Sequence, residues 1–514
     1  MVTRRQFLLL AGEAGVSLAV SGCAASPPLR KDVFEEFGDP ARPYLGLATS
    51  LREEHSYEAR IEGKIPTRLR GTLYRNGPGL FDRNGLRKRN LLDGDGMVQS
   101  FRFHDQGVHY RNRFVRTEKY LAEESAGRFT RESWSTQAPG GWWANFMAPG
   151  KLTGQASITV FYWRDRLYAF DECSLPYELD PDTLETSGLS HLGLPEGMTV
   201  YAAHAKLDPR NGEWLHFGVR YGPASKLHVT IFSSSGALKH HRELTLPRNV
   251  YMHDWFVSGN YLIFNLHPVE IDYLGVLLCR RSLVDSLNWR PEKGNLVMVL
   301  DREGDNPPFF LDASASYMWH TLNAYEEGGD LVADYIGYRN PDHFVGRHPL
   351  VSAVMTGQKG DHVYPGELRR YRIDTKARTL REETVGKGSY EWPRINEQLR
   401  CCNYRFGYMA RARPGAFFWN EIVRIDMKTV QTDSYDFGPT CYCTEPVFIP
   451  LPGRAYSFEH ASEPGFVATE VFDSMTRRSF LALFQAEQLA SGPVAIVHLT
   501  HHVPFSYHGW WHPE

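Results

Sequence analysis

"AKLDPRNGEW" (residues 205–214) holds a strand, a turn and the start of a second strand in ten residues. Pro209, Asn211 and Gly212 are turn formers, and Asp208 closes the turn through its own carboxylate. The same grammar recurs at "YELDPDTLET" (177–186), "MVLDREGD" (298–305), "YRIDTKARTLRE" (371–382) and "VRIDMKTVQT" (423–432). "FYWRDRLYAFDE" (161–172) and "WFVSGNYLIFNL" (255–266) read as hairpins of the same kind. Strands this short and this frequent do not make one open sheet. They imply a sandwich, a barrel or a propeller, and the chain's length and loose repetition favour the propeller. The repeats are too diverged to count blades. Segments 118–150 and 270–292 are longer and partly helical, and read as insertions covering one end.

The 514 residues are 42% hydrophobic and 23% charged, enough apolar side chain for a full core. A formal net charge of −3, with no stripe of Lys or Arg, gives no case for nucleic acid. No obligate protein partner is evident. Glycine and proline are spread along the chain, which suits short strands joined by turns.

The first residues read as an address rather than as fold. "TRRQFLLLAGEAGVSLAVSGCAAS" has paired Arg4 and Arg5, an apolar stretch interrupted by Glu13, and small residues ending at Cys23. Residues 1–23 therefore read as a twin-arginine export signal closing on a lipoprotein cleavage box, with Cys23 as the lipidated N-terminus. Export would place the chain in a bacterial cell envelope, lipid-anchored at a membrane surface; with the signal unused it would be cytoplasmic. A linker follows (24–45), then a single domain (46–514). The other six cysteines contain no C-x-x-C, so zinc-ribbon and thioredoxin readings are poor.

His204, in the apolar run before the opening turn, is by itself either a packed core histidine or a ligand. Spacing motifs do not decide it. There is no H-E-x-x-H, the H-x-E pairs His241/Glu243 and His512/Glu514 lack the context of a facial iron triad, and no G-x-S-x-G exists. "GDG" at 94–96 is not a dinucleotide fingerprint.

The words around the histidines are more specific. "LRGTLYRNGPGLF" (69–81), "DGDGMVQSFRF" (93–103) and "YRNRFVRTEKY" (110–120) resemble the opening of the carotenoid cleavage oxygenases. "AHAKLDPRNGE", "MHDWFVSGNYLIF", "HTLNAYEE", "EWPRIN", "TEPVFIP" and "VPFSYHG" follow in the family's order, over about residues 45–510. The resemblance implies a seven-bladed β-propeller with a helical and loop-built dome over its iron end. It implies one Fe(II) held by His204, His253, His320 and His508, with Glu172, Glu391 and Glu445 orienting the imidazoles. The implied activity is a non-haem dioxygenase that cleaves a conjugated C=C bond of a carotenoid or apocarotenoid with O2, giving two carbonyl products. Lignostilbene dioxygenases are the alternative within the family, and a metal-binding propeller without oxygenase activity is the alternative outside that chemistry.

The residue chemistry agrees with this. Neutral imidazoles suit Fe(II) and leave up to two of six positions open. Glutamates on the remote N–H groups aim each ring and raise its donor strength. A phenolic substrate would need polar partners, and Lys119 in "RTEKY" is a candidate. Asp254, His501, His502 and His512 read as turn, surface or packing residues, and "NGPG" (76–79) and "DGDG" (93–96) as tight turns setting the first strands. An aromatic run usual in the family before "DGDG" is replaced here by "RKRNLL" (87–92).

Overall fold

Each aspartate of the repeated turns bonds back onto its own loop. Asp180 Oδ1 accepts from the Asp182 and Thr183 amides, Asp208 Oδ1 from Arg210, Asp374 Oδ1 from Lys376 and Ala377, and Asp426 Oδ1 from Lys428 and Thr429. Asp301 uses its carboxylate differently, accepting from the Asn306 side chain at 2.6 Å. "AKLDPRNGEW" joins the first strand of its sheet to the second, and the other four turns join the third to the fourth.

The computed structural model describes residues 26–30, 36–38, 41–147, 154–194, 200–345, 350–357 and 365–514. The Arg4/Arg5 leader and Cys23 lie outside the described residues. Among the described residues, seven antiparallel sheets of four to six strands form the blades of a propeller, beside one small three-stranded and one two-stranded sheet. Inner strands of adjacent blades touch around the axis: Thr159–Trp163, His508–Pro513, Val447–Pro450, Tyr390–Ile395, Tyr317–Glu327 and Phe256–Val257.

Burial follows from a strand's place in its blade. Glu213–Arg220, a second strand, is buried almost throughout because both of its faces pack on neighbouring blades. The outer strand Thr379–Gly386 is mostly exposed and reads "TLREETVG". Trp214, Trp255, Phe217 and Phe264 fill the space between blades, which explains much of the aromatic content. Aromatic pairs such as Phe217–Trp255 add roughly 0.5–1.5 kcal/mol each beyond the area they bury.

Both chain ends close the ring. Gly71–Leu80 pairs with His508–Pro513, placing His508 opposite Asn76, and Arg60–Gly63 pairs with Ala495–His498. Arg75, fully buried, locks this seam by donating to the carbonyl of Glu445 and the hydroxyls of Thr444 and Ser506, beside Glu470 at 3.4 Å.

The segment "NGPG" differs from expectation: residues 76–79 lie inside the ten-residue strand Gly71–Leu80, with a register shift between Pro78 and Leu80. "DGDG" likewise runs into a strand, which begins at Asp95. These glycines serve close approach rather than turning. A Cβ on Gly77 would meet the Ser506 backbone at 2.6 Å, and one on Gly96 the Ala156 carbonyl at 2.3 Å.

The insertions are helical in short pieces. Glu118–Ala126 starts at Thr117, whose hydroxyl accepts from the Tyr120 amide, and ends at left-handed Gly127. Gly141–Met147, Tyr273–Leu277 and Leu350–Thr356 complete the main helices, and none of the described helices is long and apolar enough to cross a membrane.

Candidate metal centre

Four blades each deliver one imidazole to the axis. His204 and His253 stand just ahead of the inner strands Lys206–Asp208 and Phe256–Val257. His320 lies inside Tyr317–Glu327, at a break in its register, and His508 opens the last strand. All four are buried, and one nitrogen of each lies within 4.8 Å of the others. His253 Nε2 is 3.0 Å from His204 Nε2 and 3.2 Å from His320 Nε2.

Three of the rings have an acid behind them. His253 Nδ1 donates to Glu172, His320 Nδ1 to Glu391 at 2.9 Å and His508 Nδ1 to Glu445 at 2.8 Å. A carboxylate only accepts, so Nδ1 of each of these three rings carries a proton, and Nε2 is the nitrogen left to meet an ion. His253 and His320 thus bring their Nε2 atoms to 3.2 Å of each other, a spacing that suits two neutral donors sharing one cation. Donors placed at roughly 2.1 Å around a common ion stand about 3.0–3.4 Å apart, which matches the observed spacing. The set fits one metal ion.

The acids are held in turn. Tyr251 donates its hydroxyl to Glu172 Oε2 at 2.8 Å, and Tyr338 donates to Glu391 Oε2. Glu445 Oε2 accepts the Gly509 amide at 2.8 Å, and Arg394 stands 3.6 Å from Oε1. Burial works to raise the Glu445 carboxyl, but Arg394, His508 and Arg75 outweigh it and hold it down to about 2. Burial pushes His508 down to about 3, against the pull of Glu445, and drives His204 well below the ordinary histidine value, with the neighbouring rings adding to the effect. Those two rings are therefore neutral. Among the described residues His204 has no carboxylate behind it; its carbonyl accepts the Trp255 indole N–H at 2.7 Å.

Glu391 aims at His320 because the strand bulges between Glu391 and Arg394. Trp392, inside the bulge, is left-handed at φ 59°, a strained conformation for this side chain. The bulge sends Glu391 to His320 and Arg394 toward Glu445.

Two cavities meet at the histidines. One, of about 570 Å³, is lined by Ile158, Trp319, Trp392, Phe505 and other apolar side chains, with His343, Leu350 and Val351 from the helical dome. The other, of about 540 Å³, is polar; Lys206, Arg394 and Arg400 face Asp254, Glu397 and Glu445 across it. His320 and His508 border both, His253 only the apolar cavity, and His204 only the polar one.

All seven residues named as ligands or orienting acids are therefore brought together, and Lys119 is not. Its ammonium is fully buried between Asp95 (2.6 Å) and Glu123 (2.9 Å) and lines neither cavity. Burial opposes its charge, but the two carboxylates hold it protonated, above the ordinary lysine value. Lys119 is a structural cation, not a substrate contact. Asp254 binds Lys206 at 2.7 Å, His501 stacks on His55 and His512 on Tyr162, as packing residues do. Tyr251, Tyr338, Arg394 and Arg75 were not legible from spacing. Only Tyr251 had a signal, its place two residues before His253 in the word that marks that histidine.

A propeller whose axis carries a buried four-imidazole group, with an apolar chamber against it, defines a protein with a candidate metal centre. Residues 48–513 match the family described as retinal pigment epithelial membrane protein, and the chain belongs to this family of carotenoid cleavage oxygenases. It is 29% identical over 479 residues to apocarotenoid-15,15'-oxygenase of Synechocystis, covering 91% of this chain and 95% of that one. It is 26% identical to lignostilbene-alpha,beta-dioxygenase isozyme III of Sphingomonas paucimobilis, covering 91% and 96%. Among solved structures, a cobalt-substituted Synechocystis apocarotenoid oxygenase superposes with a TM-score of 0.85 at 28% identity, over 93% of this chain and all of that one.

Proposed function

We propose that His204, His253, His320 and His508 hold one Fe(II), and that the chain is a dioxygenase cleaving a conjugated C=C bond of a carotenoid or apocarotenoid into two carbonyl products. Iron bound there would supply the activation of O2. The protein's part is geometric and electrostatic. Glu172, Glu391 and Glu445 fix three rings, strengthen them as donors and offset the charge of a dication. The apolar cavity excludes water and holds one bond of a long polyene beside the centre, and that placement selects the bond.

The lining of the apolar cavity carries this reading over a phenolic substrate. Among the described residues it contains no lysine or arginine, and its one carboxylate, Glu391, is engaged by His320 and Tyr338. Its one tyrosine, Tyr507, donates to the Leu91 carbonyl. Apart from the His343 ring and the Trp392 indole N–H the lining offers a phenol few polar groups, whereas a hydrocarbon polyene needs only the apolar surface.

The proposal extends to a membrane surface. Trp143, Met147 and Leu274 are more than half exposed on two helices tied together by the Trp142 indole, which donates to the Leu278 carbonyl at 2.7 Å. Exposed apolar side chains grouped this way suit an interface with lipid, the reservoir of such substrates. The export signal and lipidation of Cys23 belong to the same proposal, tested by fractionation and by the mass of the mature N-terminus.

The test is anaerobic purification with Fe(II), then O2 uptake against a panel of apocarotenals and hydroxystilbenes, with products identified by mass. Consumption of apocarotenals to two carbonyl fragments is expected. Cleavage of hydroxystilbenes alone would make it a stilbenoid dioxygenase, and metal binding without O2 uptake would remove the oxygenase reading.

A further inference from the structure

We propose that the polar cavity is the route by which the metal ion enters and leaves, separate from the apolar cavity that takes the organic substrate. The proposal rests on the metal-centre reading above.

A divalent cation arrives with bound water, and stripping that water along an apolar wall is costly. The chamber of Trp319, Trp392 and Phe505 is such a wall. The polar cavity offers carboxylates, hydroxyls and ion pairs instead: Lys206 with Asp254 at 2.7 Å and Thr321 at 3.2 Å, and Arg400 with Glu397 at 2.7 Å. Its three cations and three carboxylates balance, so the passage does not repel a dication as a purely basic one would. Leu207, Glu397 and Trp510 in its lining are partly exposed, which places its outer end at solvent.

The ligand on this side supports the same direction. His204 borders only the polar cavity and, among the described residues, is the one of the four imidazoles without an acid fixing its Nδ1. It is the least tied of the four rings, and on this proposal it closes last over an incoming ion. The three rings behind it, each bonded to a glutamate, form a preset cup.

The test follows Co(II) uptake by the metal-free protein, read as the rise of cobalt absorption with time and as final stoichiometry. Leu207→Trp narrows the polar cavity and Val351→Trp the apolar one. Leu207→Trp is expected to slow uptake on the order of tenfold with the final stoichiometry kept at one, while Val351→Trp leaves the rate unchanged. Glu397→Gln, a gentler change, tips the polar cavity to net positive and should slow uptake about threefold to tenfold, an effect that fades with added salt. Slowing by Val351→Trp alone, equal slowing by both tryptophans, or rates unmoved by both Leu207→Trp and Glu397→Gln overturns the route. No Co(II) uptake by the unmodified protein overturns the metal centre itself, and the route with it.

Discussion

Tyr338 donates its hydroxyl to Oε2 of Glu391, whose Oε1 holds the Nδ1 proton of His320 at 2.9 Å. The chain phenol–carboxylate–imidazole joins two strands of one blade to the inner strand of the next. It turns a flexible acid into a fixed one. Tyr251 does the same for Glu172 and His253, so the centre is set three layers deep on two of its sides.

Breaking that chain at different depths should give graded losses. Glu391→Gln keeps the shape but removes the charge behind His320, and metal affinity should fall on the order of 10–100-fold. Tyr338→Phe leaves the acid in place without its donor, a loss of roughly 1.5–3 kcal/mol of charge-assisted bonding, only part of which reaches the metal. Titration with Co(II) under anaerobic conditions measures both. A Tyr338→Phe affinity below that of Glu391→Gln would contradict the order of layers.

His320→Ala removes a donor that borders both cavities. Metal content should fall to a small fraction of one ion per chain, with the propeller's circular dichroism retained. Full metal content and O2 uptake in this variant would refute the centre.

Arg75→Met should be among the most damaging changes far from any substrate. It leaves Glu470 buried without its cation and frees the carbonyl of Glu445, at a cost of roughly 3–5 kcal/mol. A drop in Tm, with faster amide exchange in the C-terminal strand His508–Pro513, is the expected signature.

Lys119→Met tests the corrected role of that lysine. Asp95 and Glu123 lose their shared cation, so Tm should fall, again by an amount equivalent to roughly 3–5 kcal/mol. The ratio of kcat/KM for an apocarotenal against a hydroxystilbene should not change, because Lys119 touches neither cavity.

Acid should destabilise the metal-free protein from mildly acidic pH downward. Burial holds His216, His267 and His508 near 3 when folded, so between the ordinary histidine value and about 3 the unfolded chain binds the extra protons and stability falls as pH drops. Glu445, held at about 2, adds a loss between its ordinary value of 4.5 and about 2. Glu463, raised by burial to about 7, runs the other way and loses stability as pH rises from 4.5 to 7. Thermal melts at a series of pH values measure the sum, and a Tm unchanged between pH 6.5 and 4 would contradict it.

The turn aspartates were legible because their chemistry is local: Asp180, Asp374 and Asp426 bond to amides two and three residues on, and the words around them suffice. The word order around His204, His253, His320 and His508 marked the family, and with it the blade count. Lys119 was misread because a lysine in "RTEKY" looks alike on a surface, in a pocket or between two acids. "NGPG" was misread because glycine required by a neighbouring backbone is spelled the same as glycine required by a turn.

By itself the sequence determined a β-rich chain of Asp-closed hairpins, its membership of a family, and which imidazoles and acids to watch. The tertiary structure alone decided that His253 and His320 bring their Nε2 atoms together, that Tyr338 and Arg75 hold what lies behind them, and that a polar and an apolar chamber meet at the centre. Turns depend on neighbours in the chain, whereas convergence on an axis depends on how blades far apart in sequence close into a ring.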